Sequence, residues 1–260
     1  MVSGIGRFGM NARHFRALAA SLWPYACFLV LALTIMTVSR LFLVYSYAGQ
    51  MAGVSSLANI MERGWHFDMV VICGVCLVAM LVQWLAPGRF LLSKSWRRAL
   101  VAWLVTWLML IVWNEAATPD FIAEFGVRPN RLFVEYLNTP VEIFLTIWAA
   151  HRSALLIGIA LVASIGILAV RLMRTTVQYA LRWPLRLVIL APLCVVLFYG
   201  MRGSTGHRPL GISYAAISTD PLINTLPLNS TYSVLHAVEQ MISEDTVSYT
   251  HLTLPTSDLV

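Results

Sequence analysis

Charged residues are scarce in this sequence: Asp, Glu, Lys and Arg make up 12% of its 260 residues, about half the roughly 25% of an ordinary soluble domain. The long apolar segments also lack amphipathic stripes, the mark of helices that bury one face in a water-soluble core. The apolar residues, 59% of the chain, come in long unbroken blocks, and the mean hydropathy is +0.75. That excludes a soluble globular core and points to membrane-spanning helices. Cysteine is limited to Cys27, Cys73, Cys76 and Cys194, all within apolar blocks where a disulfide framework has no loops to staple. The Cys73/Cys76 C-x-x-C has no nearby further ligands and no redox fold around it, so both read as small span residues. The net charge of +6 does not mark a nucleic-acid binder, because the basic residues flank apolar blocks and form no separate basic domain. No Walker-type loop, paired catalytic carboxylates or Ser-His-Asp arrangement is present, and His14, His66, His151 and His236 are isolated, without metal-ligand spacing.

What is present is an all-α polytopic membrane protein. Five apolar blocks, Leu22 to Ser39, Phe67 to Leu85, Ala99 to Trp113, Ala154 to Val170 and Leu185 to Tyr199, hold 15 to 19 residues each, short for a span of about 20, so the helices should extend beyond these limits. The first follows a basic segment with Arg7, Arg13 and Arg16; it is too long for a signal-peptide core and lacks an A-x-A cleavage site, so it reads as an uncleaved anchor. With residues 1–21 in the cytoplasm, eleven of the eighteen basic residues fall in short cytoplasmic segments and all twelve acidic residues fall outside, as the positive-inside rule expects. Trp23, Trp65, Trp84, Trp96, Trp113, Trp148 and Trp183 lie near span ends, where an indole keeps its ring in lipid and its N–H wet. Trp103 and Trp107, four apart, share a helix face and read as a packing stripe. Asp68 reads as an interfacial cap and Arg40 as a snorkelling residue, both at outer span ends. Away from span ends the blocks carry no charge, which argues against a small polytopic transporter.

The segment 114–148 between the third and fourth spans mixes charge with large apolar side chains and suits a membrane surface. Thr118, Pro119 and Asp120 resemble a helix start, Gly126 and Pro129 a break, Asn130 a cap for a second helix through Leu137, and Thr139 with Pro140 a third start. Leu132, Phe133, Tyr136 and Leu137 share one face of the second helix, which makes it interfacial. After the fifth span, residues 201–246 are rich in Ser, Thr, Asn and Pro and read as an external linker. Within it Asp220 and Pro221 mark a turn or helix start, and Asn229 or Ser230 caps an amphipathic helix with Tyr232, Leu235, Val238 and Met241 at three-residue spacing.

FIAEFGVRPNRLFVEYL in the external loop and GHRPLGISYAAISTDPLINTLPLNSTYSVLHA after the fifth span resemble the membrane part of the lipoteichoic acid synthase family. These are bacterial phosphoglycerol transferases, including sulfatase-like versions, whose external domain belongs to the alkaline phosphatase and sulfatase superfamily. The likeness runs over roughly residues 22–241 and includes the order of spans, loop and linker. It implies a protein of the bacterial cytoplasmic membrane that works beside a lipid-linked phosphoglycerol-type substrate and its own external catalytic domain. That domain would carry a threonine nucleophile and a divalent cation, manganese, which activates the hydroxyl and stabilises phosphoryl charge. None of its motifs occurs in this chain, so no cofactor is expected here, and the parent enzyme would be a transferase or a related hydrolase. Residues 247–256, VSYTHLTLPT, resemble translated sequencing-library adapter, so residues 247–260 are expected to be a non-native tail.

The residues expected to contact a lipid headgroup or dock a domain are Glu124, Arg128, Asn130, Arg131 and Glu135 in the loop, with His207 and Arg208 after the last span. An arginine fork can bond two phosphate oxygens at once. The competing readings are a transporter or a non-enzymatic membrane scaffold. The topology is checked by accessibility labelling of single cysteines in intact cells: Glu135→Cys should react with an impermeant maleimide from outside and Arg97→Cys only after permeabilisation, and the reverse pattern would overturn the orientation.

Overall fold

In the computed structural model the described residues are 12–51, 57–174, 183–204, 206–207 and 209–251. Arg208 and residues 252–260 of the expected tail lie outside them. Ten α-helices and two short 3-10 turns make up the regular structure of the described residues, with no strand among them. Five helices are long and apolar enough to cross a bilayer: α1 (Ala12–Ser46), α2 (Leu57–Leu85), α4 (Lys94–Phe125), α7 (Arg152–Met173) and α8 (Trp183–Arg202). The chain is an all-α polytopic membrane protein, with lipid as the surroundings of its apolar helices.

All five helices overrun the sequence-based limits, and three do so by a long way. At 1.5 Å per residue, the 35 residues of α1 and 32 of α4 correspond to roughly 50 Å of helix, against a hydrocarbon layer of about 30 Å. The overrun of α4 resolves part of the puzzling segment 114–148. The expected helix start at Thr118–Asp120 is absent: α4 passes straight through Pro119 and ends at Gly126, whose φ of 70° closes the last turn in the left-handed conformation. The reason is tertiary. Thr118, Phe121 and Ile122 are buried in this last stretch, and burial outweighs a local start signal.

The other local signals hold. Asn130 Oδ1 accepts from the Leu132 N–H and caps α5 (Arg131–Tyr136), and Pro140 opens α6 (Pro140–Ala150). Asp220 Oδ1 accepts from the Leu222 N–H at the start of α9 (Pro221–Thr225), and Asn229 Oδ1 accepts from the Tyr232 N–H at the start of α10 (Ser230–His251). α6 has no buried residue and exposes Val141, Phe144, Leu145 and Trp148. α5 instead turns its aromatic face onto the end of α4, with Phe133 6.0 Å from Phe121 and Tyr136 6.1 Å from Phe125. Those two rings are half-buried against α4, while Leu132 and Leu137 stay exposed.

Within the bundle α2 packs against α8, α4 against α7, and α1 touches α2, α4 and α7. Phe28, Ala32 and Met36 of α1, Phe67 and Ile72 of α2, and Leu104 and Leu108 of α4 form the centre of the core. Trp103 and Trp107 stack edge to face at 5.9 Å, and the Trp103 N–H donates to the Val75 carbonyl, which makes the pair a packing device. All four cysteines are free thiols, Cys73 and Cys76 being buried on α2. Trp84 departs from the expected interfacial belt: it is 1% exposed.

The bundle has two unlike ends. One carries the starts of α4 and α8 and the ends of α2 and α7, with their basic residues; the other carries α5, α6, α9 and α10. The segment expected as an external linker packs back on this second end. Tyr232 packs edge-on against Phe67 at 4.9 Å and donates to the Leu210 carbonyl, and Arg63 donates to the carbonyls of Tyr214 and Ala216. Close helix contact sets one sharp requirement: a Cβ on Gly200 of α8 would collide with the Cys73 Sγ, whereas one on Gly74 would meet only Met201 atoms at 3.8 Å and beyond. Gly200→Val is expected to cost about 1–3 kcal/mol through overpacking and Gly74→Ala to be neutral, as read from thermal unfolding in detergent.

Candidate functional site

The loop end of the bundle is where the sequence puts its external charges, and four of the chain's ionisable groups are buried there. Arg40 of α1, Asp68 of α2, Glu115 of α4 and Arg128 of the α4–α5 loop are each 5% exposed or less. Burying a lone charge is prohibitively costly, so such groups are paired; all four are, although the Arg40 Nε has no hydrogen-bond partner among the described residues. Arg40 grips Asp68 with both terminal nitrogens, at 3.0 and 2.7 Å, and donates to the Gly64 carbonyl at 3.3 Å. Gly64 is required here, because a Cβ would overlap the Arg40 guanidinium. Arg128 bonds Glu115 at 3.1 Å. Burial pushes the Arg128 guanidinium below its usual value, and the Glu115 carboxylate opposes that shift.

The dipeptide Asn229–Ser230 joins the two pairs. Asn229 Nδ2 donates to Asp68 Oδ1 at 3.0 Å while its Oδ1 caps α10. The Ser230 backbone N–H, in the first turn of α10, donates to Glu115 Oε1 at 2.8 Å, and the Ser230 hydroxyl accepts from Arg128 at 2.9 Å. Glu115 thus sits as a bound carboxylate at a helix N-terminus, where the backbone dipoles favour negative charge. Ser39 donates to Glu115 Oε2, Thr118 bonds the Ser230 hydroxyl, and Arg128 also donates to the carbonyls of Thr225 and Leu226. Two cations and two anions cancel, and the network ties α1, α2, α4, the α4–α5 loop and α10 together.

The amphipathic reading of α10 changes accordingly. Its buried residues include Ser230, Thr231, Tyr232, Ser233 and Ala237, whereas Leu235 is 43% exposed. Small polar side chains face the bundle because the helix docks by hydrogen bonds, and the apolar row at three-residue spacing is only partly used.

Of the residues expected to form a polar cluster, the structure brings Arg128 into the network and leaves the others outside it. Arg131 pairs with Glu135 at 2.8 Å and with Glu244 of α10 at 2.7 Å, all three side chains being at least 41% exposed. Asn130 is a helix cap, and Glu124 and His207 are exposed. Arg208 lies outside the described residues. The sequence reasoning placed Asp68 as an interfacial cap and Arg40 as a snorkelling side chain; both are corrected, since each spends its charge on the other inside the protein. Glu115, Ser39, Thr118, Asn229 and Ser230 were missed as members of a site, although the cap signal at Asn229–Ser230 marked the right dipeptide. The statement that spans carry no charge away from their ends also changes, because Arg40, Asp68 and Glu115 all lie within the extended helices.

No family model matches the chain, and no solved structure matches it. The geometry must therefore speak through its chemistry. Among the described residues no group of three or more His, Cys, Asp or Glu side chains could hold a metal ion, and both buried carboxylates are already bonded to arginine. What the arrangement can do is fix the start of α10, and whatever that helix carries, to the ends of the spans.

Truncating one partner of a buried pair leaves the other uncompensated, typically at about 3–5 kcal/mol. Arg128→Met is expected to lose that much stability, Arg128→Met combined with Glu115→Gln to regain part of it, and the exposed Arg131→Gln to cost less than about 1 kcal/mol. Denaturant titration in micelles reads all three.

Proposed function

We propose that the chain is the membrane-anchoring domain of a lipoteichoic-acid-synthase-like, sulfatase-like phosphoglycerol transferase that acts on lipid-linked substrates at the outer face of the bacterial cytoplasmic membrane. One observation carries the reading. The two segments that resemble that family, about a hundred residues apart, meet directly: Arg128 of the first bonds Thr225, Leu226 and Ser230 of the second. A contact of this kind makes loop and post-span segment one unit, which is what an anchor needs to hold a following domain at a set height above the bilayer.

In this reading the residues of the chain position and do not react. α10 is the arm that leads to a catalytic domain in the parent protein, and that domain holds the manganese and the threonine nucleophile. The exposed Arg131, Glu124 and Glu135, beside the interfacial α6, face the region where a lipid headgroup or that domain would approach. The transporter alternative would need Arg40, Asp68 and Glu115 to exchange protons or ions, and each of them is engaged in a closed, charge-balanced network. A non-enzymatic scaffold remains the description of the chain taken alone.

Sequencing the genomic locus beyond codon 246 tests the proposal. An open frame encoding a metal-binding threonine site in an external domain is expected, and a stop codon directly after that point would refute it. The purified chain itself should show no manganese-dependent turnover of a phosphatidylglycerol-type donor, and measurable turnover would move catalysis into the membrane domain.

A further inference from the structure

The basic end of the bundle, opposite the polar network, holds a cavity of about 440 Å3 walled by α1, α2, α4, α7 and α8. Lys94, Arg97, Arg98, Arg174 and Arg186 line it, and no Asp or Glu does. Among the described residues none of these five pairs with a carboxylate. The first turn of α4 lies here too, adding its positive dipole end.

Two residues of its wall carry buried donors that add to its positive character. Trp84, 1% exposed, and Arg186, 4% exposed, both line it, and the Trp84 Nε1 and Arg186 Nε atoms, like Arg40 Nε and Arg202 Nε at the other end, have no hydrogen-bond partner among the described residues. Arg186 is otherwise fixed: one terminal nitrogen donates to the Ala86 carbonyl at 2.7 Å, and the guanidinium stacks on Trp183 at 5.1 Å. Indole and guanidinium can only donate, so their complement must accept. An anion rich in oxygen and poor in protons satisfies both, and a phosphate diester is such a group.

The shape adds the rest. An open crevice lies between α4 and α7 beside Val105, Met109, Ala163 and Gly166, and shares Val170 and Arg174 with the cavity. Together they make a groove from Lys94 to Met109, roughly 20 Å of helix axis, enough for the ~15 Å hydrocarbon depth of one leaflet. Its head is basic and its length is apolar.

We propose that this groove binds an anionic phospholipid, with the phosphate between the basic side chains and the Trp84 N–H, and one acyl chain along the α4–α7 crevice. The positive-inside rule places this site in the cytoplasmic leaflet, separate from the loop-end network. The basic residues then do more than set topology: they hold a lipid as a structural partner of the bundle.

Native mass spectrometry of the full chain released from nanodiscs tests this. With equal dioleoylphosphatidylglycerol and dioleoylphosphatidylcholine, the first should be retained about 10-fold more, the order expected for charge-assisted hydrogen bonds. Arg97→Gln with Arg98→Gln, and separately Trp84→Phe, should each cut that preference several-fold, while Arg131→Gln at the other end leaves it unchanged. Ala163→Phe, which fills the crevice, should weaken retention of long-chain lipid without changing binding of dihexanoylphosphatidylglycerol. Equal retention of the two dioleoyl lipids, or a preference untouched in the Arg97/Arg98 variant, would overturn the proposal. Inorganic phosphate binding as tightly as the long-chain lipid would reduce the site to a soluble-anion pocket and overturn the lipid assignment. Should Trp84→Phe prove unstable by thermal unfolding, the exposed Arg98→Gln alone decides.

Discussion

Charge buried away from water must find its counter-charge inside the protein, and at the loop end of this bundle that requirement organises everything nearby. Arg40 and Asp68 settle each other between α1 and α2; Glu115 and Arg128 do so between α4 and the loop that follows. Neither pair is complete by itself. The remaining acceptor sites on Asp68 and Glu115 are filled by Asn229 and by the Ser230 N–H, so the start of α10 is the piece that closes both. Apolar contact could hold spans together in many slightly different registers, but a network of this kind admits one.

The same constraint explains what the sequence disclosed and what it hid. The spans were legible because hydropathy is additive along a helix, and Gly126, Asn130, Pro140 and Asp220 were legible because caps and breaks act over a few residues. The fate of Asp68 and Arg40 was hidden, since 28 residues separate partners that meet only when α1 and α2 pack. Asp68 and Glu115 are drawn to Asn229 and Ser230 across still longer separations, 161 and 115 residues. No local pattern reports such pairings. Pro119 misled for the complementary reason: its local signal was sound, but burial of Phe121 and Ile122 kept the helix going.

The charge asymmetry of the two ends has a division of labour behind it. At the loop end opposite charges are matched and dry, which favours fixed geometry. At the other end cations gather around a cavity without a carboxylate in its lining, which favours an anionic ligand. A single helix, α4, contributes to both: Lys94, Arg97 and Arg98 at its start, Asn114, Glu115 and Thr118 near its finish. Its 32 residues make the two ends parts of one rod.

Depth of burial also sets how each contact of α10 responds to its surroundings. Mobile ions screen exposed pairs such as Arg131 with Glu244 but reach buried ones far less. In concentrated salt α10 would therefore keep its root and lose its side stay. A beam clamped at one end behaves as a cantilever. Asn229, Ser230 and Glu115 are the fixed point of that beam, so ionic strength reaches the later turns of α10 and leaves its first turn in place.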